Sequence, residues 1–163
     1  MHLTLQPSAP QIRRMLIVEP AHPNDPGPRA LLEQSHVLMQ QLFAPEENHF
    51  LGFEALDAPN VHFVAARDGT DVLGTGAMVQ MGAYGEVKSM FTSTAARGRG
   101  VAAAILRALE DHARGLGLPH LRLETGEALP AAIRLYERHG FTRCGPFGAY
   151  VADGVSVFME KTL

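Results

Sequence analysis

The order of apolar and polar positions divides the chain into short strands and a few amphipathic helices. Residues 1–14 hold Pro7 and Pro10 in a polar run ending at Arg13-Arg14, and read as a loose arm or an irregular edge. Met15 to Glu19 is an apolar run of strand length. Pro20, Pro23, Pro26 and Pro28, with Asn24, Asp25 and Gly27, then interrupt regular structure, and Pro28 suits the first turn of a helix. Leu31, Leu32, Ser35, Leu38, Met39 and Leu42 recur at helical spacing, so the pattern predicts an amphipathic helix over 28–42. Phe43 to His49 forms a polar loop, and Phe50 to Leu56 reads as a short helix.

Val61 to Arg67 is nearly continuous in apolar residues, as in a strand buried on both faces. Asp68-Gly69-Thr70-Asp71 is a turn signal, and Val72 to Met81 returns as the partner of a hairpin. Gly74 and Gly76 inside that strand mark a bulge or a close approach of backbone. Gly82 to Gly85 turns again into the strand at Glu86. Strict alternation over 86–92 puts Glu86, Lys88, Met90 and Thr92 on one side and Val87, Ser89 and Phe91 on the other.

The helix beginning near Val101 carries Val101, Ile105, Ala108, Leu109, His112 and Leu116 as its stripe, with Arg107, Glu110, Asp111 and Arg114 outside. Gly115, Gly117 and Pro119 end it. His120 to Thr125 is a strand reached through a helix, which requires a parallel crossover. Pro130 opens a second helix whose face is Ala132, Leu135, Tyr136 and His139, with Gly140 as its stop. Phe141 to Cys144 and Val155 to Lys161 read as the last two strands.

Composition narrows the class. A length of 163 residues suits one domain with a core of its own, and 46% hydrophobic against 19% charged residues is the balance of a soluble globular protein. A net charge of −3 with no cluster of five or more Lys/Arg argues against a nucleic-acid partner. No run of 18 apolar residues and no signal-peptide pattern occurs, and Cys144 is the single cysteine. A cytoplasmic protein without membrane association is expected. The eight histidines lack His-Glu-x-x-His or paired-cysteine spacing, so no metal is expected.

The chemistry concentrates where the strand at Glu86 runs through a glycine-arginine turn into the helix at Val101. Gly98 and Gly100 permit positive φ, and the first helical turn leaves N–H groups without helical acceptors. Those donors and the helix dipole favour an anion, and the guanidinium forks of Arg97 and Arg99 match phosphate oxygens. A diphosphate is the natural guest, with an ordinary solvated turn as the alternative on composition alone. The Walker spacing is absent, and the dinucleotide spacing fails because Ala103 replaces its third glycine.

Arg97, Gly100 and Ala102 fill the pattern Arg/Gln-x-x-Gly-x-Gly/Ala, which resembles the acetyl-CoA motif of the GNAT superfamily of N-acetyltransferases. Ala132-Ile133-Arg134-Leu135-Tyr136-Glu137-Arg138-His139-Gly140-Phe141 is similar to a second segment of that family, and the likeness spans roughly Val61 to Glu160. The resemblance implies a GNAT-like α/β (α+β) fold, in which a mixed, mostly antiparallel twisted sheet of about six or seven strands carries about four helices on its faces. It implies transfer of an acetyl group from acetyl-CoA, as co-substrate and without metal, to a primary amine of a small molecule or peptide by direct attack in a ternary complex.

The same likeness assigns residues. Arg97, Gly98, Arg99, Gly100, Val101 and Ala102 would hold the pyrophosphate, with Ala132 also on the cofactor side. Met90, Phe91 and Thr92 would meet the pantetheine through backbone, an N–H near Met90 polarising the thioester carbonyl. Tyr136 would protonate the departing thiolate, and Glu86 would serve as general base unless it pairs with Lys88 or an arginine. Glu47, Asn48 and His49 are candidate acceptor contacts, with a solvated loop as the alternative. One departure is Leu129, where many members carry Asn or Gln; Glu127 or backbone would then supply that contact. This departure keeps a non-catalytic acyl-CoA-binding module open as a second reading. A homodimer is compatible with the fold, though no particular residue points to one.

Overall fold

A computed structural model of the protein describes residues 15–163; the loose arm or irregular edge expected at 1–14 lies outside the described residues. The elements run β1 (Leu16–Pro20), α1 (Pro26–Leu42), α2 (Phe53–Leu56), β2 (Val61–Asp68), β3 (Asp71–Gln80), β4 (Tyr84–Thr92), α3 (Val101–Gly115), β5 (His120–Gly126), α4 (Pro130–Arg138), β6 (Thr142–Cys144) and β7 (Ser156–Thr162). Single 3₁₀ turns at Pro45–Glu47 and Thr94–Ala96 interrupt the loops. Helix α1 starts two residues earlier than the apolar spacing predicts, because Pro26 and Pro28 both fit a first turn that needs no N–H. Helix α2 is shorter than expected, beginning at Phe53 rather than Phe50.

The seven strands form one sheet in the order β1-β2-β3-β4-β5-β7-β6. Every neighbour pair is antiparallel except β4 with β5, which the crossover through α3 makes parallel. This is the mixed, mostly antiparallel sheet with four helices that the motifs imply. The position of β7 is a tertiary choice: the chain passes β6 at the edge and returns to insert β7 between β5 and β6.

Apolar residues fill both faces. On one, Val101, Ile105, Leu106 and Leu109 of α3 and Ile133 and Tyr136 of α4 pack on Met78, Val87, Leu121, Leu123 and Met159. On the other, Leu32 of α1 and Leu56 of α2 cover Phe63 and Ala77. The two glycines of β3 turn out to serve both anticipated purposes. A Cβ on Gly76 would stand 2.4 Å from Cγ2 of Ile105 and one on Gly74 2.7 Å from Cγ1 of Val101, so their absence lets α3 settle on the sheet. The β3–β4 register also shifts between Thr75 and Ala77.

That shift overturns the strict alternation expected for β4. Ser89 has φ 55°, a bulge forms there, and Val87 and Met90, of opposite parity, both reach the α3 face. The α3 stripe also needs correction. Glu110, expected outside, is 5% exposed and held by Lys161 at 2.9 Å, whereas Leu116 is 46% exposed in the turn beyond the helix end. Leu106 and Ala113 complete the buried stripe.

Candidate functional site

Strands β4 and β5 pair only from Tyr84 with His120 to Val87 with Leu123. Beyond that point β4 bulges at Ser89, while β5 keeps its full ladder with β7 through Gly126. The strands part, and the gap becomes a cleft. Lys88, Ser89 and Met90 line it from β4, Glu124, Thr125 and Gly126 from β5, and Leu129, Ala132 and Tyr136 from α4 and its N-cap. Met39 and Phe43, with Glu47 to Phe50 of the following loop, close the remaining wall.

Gly98 and Gly100 of the glycine-arginine turn both adopt the left-handed conformation, with φ 79° and 77°, and neither would have a neighbour within 4 Å of an added Cβ. The first bond of α3 runs from the Ala104 N–H to the Gly100 carbonyl at 3.0 Å, so the N–H groups of Val101, Ala102 and Ala103 have no helical acceptor. Open backbone with three such donors at a helix dipole's positive end fits a diphosphate. The arginines differ: Arg97 is exposed, whereas Arg99 Nη2 lies 3.1 Å from Asp68 Oδ2 and ties the turn to the end of β2.

Tyr136 is 6% exposed, edge-on to Phe141, and faces the cleft. Among the described residues its hydroxyl has no hydrogen-bond partner. Burial, and then the charge of Glu124, hold the phenol well above its ordinary range.

Glu124 went unmarked in the sequence. Burial raises its pKa above the usual carboxylate value, against the opposing pull of the Ser156 hydroxyl, His49 and Lys88. A carboxylate and a phenol, each holding its proton more tightly than in water, therefore share one cleft. Nothing in the local sequence marks it, because its place depends on where β5 parts from β4: Glu124 directly follows Leu123, the last β5 residue paired with β4.

Glu86, the base expected from the motif offset, does not line the cleft. Its carboxylate is 5% exposed and takes the alternative pairing: Oε2 accepts from the Tyr150 hydroxyl at 2.5 Å and lies 3.1 Å from Lys88 Nζ. Lys88 also donates to the His49 carbonyl at 2.9 Å and to the Tyr150 oxygen. Tyr150 carries no motif that marks it in the sequence; burial and the Glu86 bond raise its pKa.

The acceptor-side candidates do border the cleft, but two of them spend polar groups on the loop itself. Glu47 Oε1 accepts from the Ala44 N–H at 2.8 Å, and Asn48 Nδ2 donates to the Phe43 and Ala44 carbonyls. His49 stands edge-on to Tyr150, with Nε2 4.0 Å from Asp153 Oδ2. Phe91 and Thr92 pair with Thr75 and Gly74 of β3 and, unlike Met90, are not part of the cleft wall. Leu129 caps α4 and contributes an apolar wall; Glu127, the suggested substitute for the missing amide, binds Arg143 at 2.7 Å. Among the described residues no group of three or more His, Cys, Asp or Glu is gathered as a metal site, and no helix is long and apolar enough to cross a membrane.

The parallel pair that splays beside a glycine-capped helix belongs to an acyl-CoA N-acyltransferase fold. Residues 28–141 match the acetyltransferase (GNAT) family, and the chain belongs to it; the family uses acetyl-CoA as co-substrate. An IAA acetyltransferase of Azospirillum brasilense is 42% identical over 82% of this chain and 88% of its own length. The N-acetyltransferase YsnE of Bacillus subtilis, of uncharacterised activity, is 38% identical over 81% of this chain and 90% of its own. A Klebsiella pneumoniae crystal structure described as a candidate acyl-CoA N-acyltransferase superposes with a TM-score of 0.77 at 32% identity, covering 92% of this chain and 99% of that one.

Proposed function

We propose that this protein is a single-domain N-acetyltransferase that moves the acetyl group of acetyl-CoA to a primary amine by direct attack in a ternary complex. The observation that carries the reading is the shared cleft of Tyr136 and Glu124, with the unpaired α3 amides beside the left-handed glycines. The amides of Val101, Ala102 and Ala103 with Arg97 and the Gly98–Gly100 backbone hold the diphosphate, and Arg99 fixes the turn through Asp68. Backbone at Met90 and the wall at Ala132 and Leu129 face the pantetheine arm.

An amine attacks only without its extra proton. Glu124 is the group we assign to take it, because its raised pKa makes it a stronger base than a solvated carboxylate. Glu86 becomes a positioning residue that holds Lys88 and Tyr150, and through Lys88 the loop at His49. The Met90 N–H donates to the thioester oxygen as negative charge develops there. Tyr136 supplies a proton to the departing thiolate; burial keeps the phenol protonated until that charge appears.

Half-buried Glu124, with Glu47 and Asp153 nearby, favours a cationic amine on the acceptor side. The decisive experiment follows thiol release from acetyl-CoA over a panel of small amines and peptide amino termini, with IAA included because of the relative's name. Release dependent on one amine class is expected. Binding of acetyl-CoA without turnover on any acceptor would instead make this a non-catalytic acyl-CoA-binding module.

A further inference from the structure

Thr75 stands in the middle of β3, 0% exposed. Valine has the same shape and fills such a position without a polar atom, so the hydroxyl needs an explanation beyond packing. It donates to the Ser89 carbonyl at 2.9 Å. Ser89 is the single non-glycine with positive φ among the described residues, and such a conformation persists only where its surroundings impose it.

The Ser89–Met90 peptide is planar and trans, so its carbonyl and its N–H point in opposite directions. With the carbonyl drawn to Thr75 on β3, the Met90 N–H is turned away from β3. That is the side on which β5 has parted, and Ser89 and Met90 line the cleft there. We propose that Thr75 is a positioning residue whose hydroxyl locks the Ser89–Met90 peptide so that the Met90 N–H is aimed into the cleft at the reacting carbonyl. The inference rests on the reading that this amide polarises the thioester. A donor fixed in advance needs no reorganisation as charge develops, whereas a peptide freed from Thr75 presents its N–H for only part of the time.

The test compares Thr75→Val with Thr75→Ser by kinetics and by the ¹⁵N–¹H shift of the Met90 amide during titration with acetyl-CoA and with CoA, each variant checked by thermal melting. In the unaltered protein the Met90 amide should respond to acetyl-CoA more than to CoA. T75V should bind acetyl-CoA with unchanged affinity, lose the acetyl-dependent shift and fall about tenfold in kcat, the effect of one hydrogen bond; T75S should restore both. T75V with the shift intact and kcat unchanged would overturn the role of Thr75 while leaving the amide's role standing. An unaltered protein whose Met90 amide does not distinguish acetyl-CoA from CoA would overturn both. Should T75V not fold, T75A against T75S differs by the hydroxyl alone, and equal kcat and shift in that pair would overturn the proposal.

Discussion

Tyr136 is set apart from an ordinary core tyrosine by a hydroxyl that finds no partner among the described residues although the ring is almost wholly buried. A buried phenol usually finds one, so a hydroxyl aimed into a cleft is available to an incoming group. In the proposed transfer, Tyr136→Phe keeps the ring packing on Phe141 and should lower kcat about 10²-fold with little change in the affinity for CoA. Steady-state kinetics with calorimetry checks the split. Glu124→Gln tests the base by pH. Because burial raises the Glu124 pKa, the acid limb of kcat/KM should lie above the usual carboxylate range, rising as the carboxyl loses its proton, and E124Q should be slow with that limb gone. Stability should move the other way. A raised folded-state pKa means the folded protein holds the proton more tightly, so stability is full below the unfolded pKa and lost as pH rises through the folded one. E124Q should therefore melt higher than the parent at neutral pH, and the gap should close in acid.

At the scale of elements, the contact between β3 and α3 positions the site, because α3 must lie close for its N-terminus to meet the end of β4. Gly76 is the closest point, 2.4 Å from Ile105 Cγ2 for an added Cβ. Gly76→Ala should cost about 1–3 kcal/mol through overpacking, read by denaturant unfolding. It should also displace the bulge at Ser89, since the same Cβ would stand 2.8 Å from Met90 Sδ. The elements show how far local signals reach. Two glycines in a strand pattern announce either a bulge or a close helix, and here they provide both. The extra residue itself sits on β4, at Ser89, which has no glycine to mark it. Strict alternation therefore misassigned Met90.

For the whole molecule, the cleft depends on elements far apart in the chain: the α1–α2 loop, β4, β5 and α4, with Lys88 of β4 tied to the His49 carbonyl of that loop, and Glu86 of β4 tied beside the cleft to Tyr150 of the β6–β7 loop. A ligand that spans these elements binds only the folded state. CoA at 100 times its Kd should add about 2.7 kcal/mol, or roughly 5–10 °C in Tm for a chain of this size. A thermal-shift titration measures it, and an unchanged Tm would mean that the α3 N-terminus holds no diphosphate.

Amino-acid order alone determined the features whose physics is local: the helical and strand periods, the glycine-arginine turn with its helix N-terminus, and Tyr136 within its helix motif. A glycine's φ, a helix's first amides and a side-chain period are set within a few residues of chain. Tertiary structure alone decided that β7 inserts beside β5, that the strands part after Val87 and Leu123, and that Glu124 rather than Glu86 meets Tyr136 in the cleft. Those outcomes follow from which strand pairs with which and from how much water each carboxylate loses, and neither quantity exists until distant segments have packed.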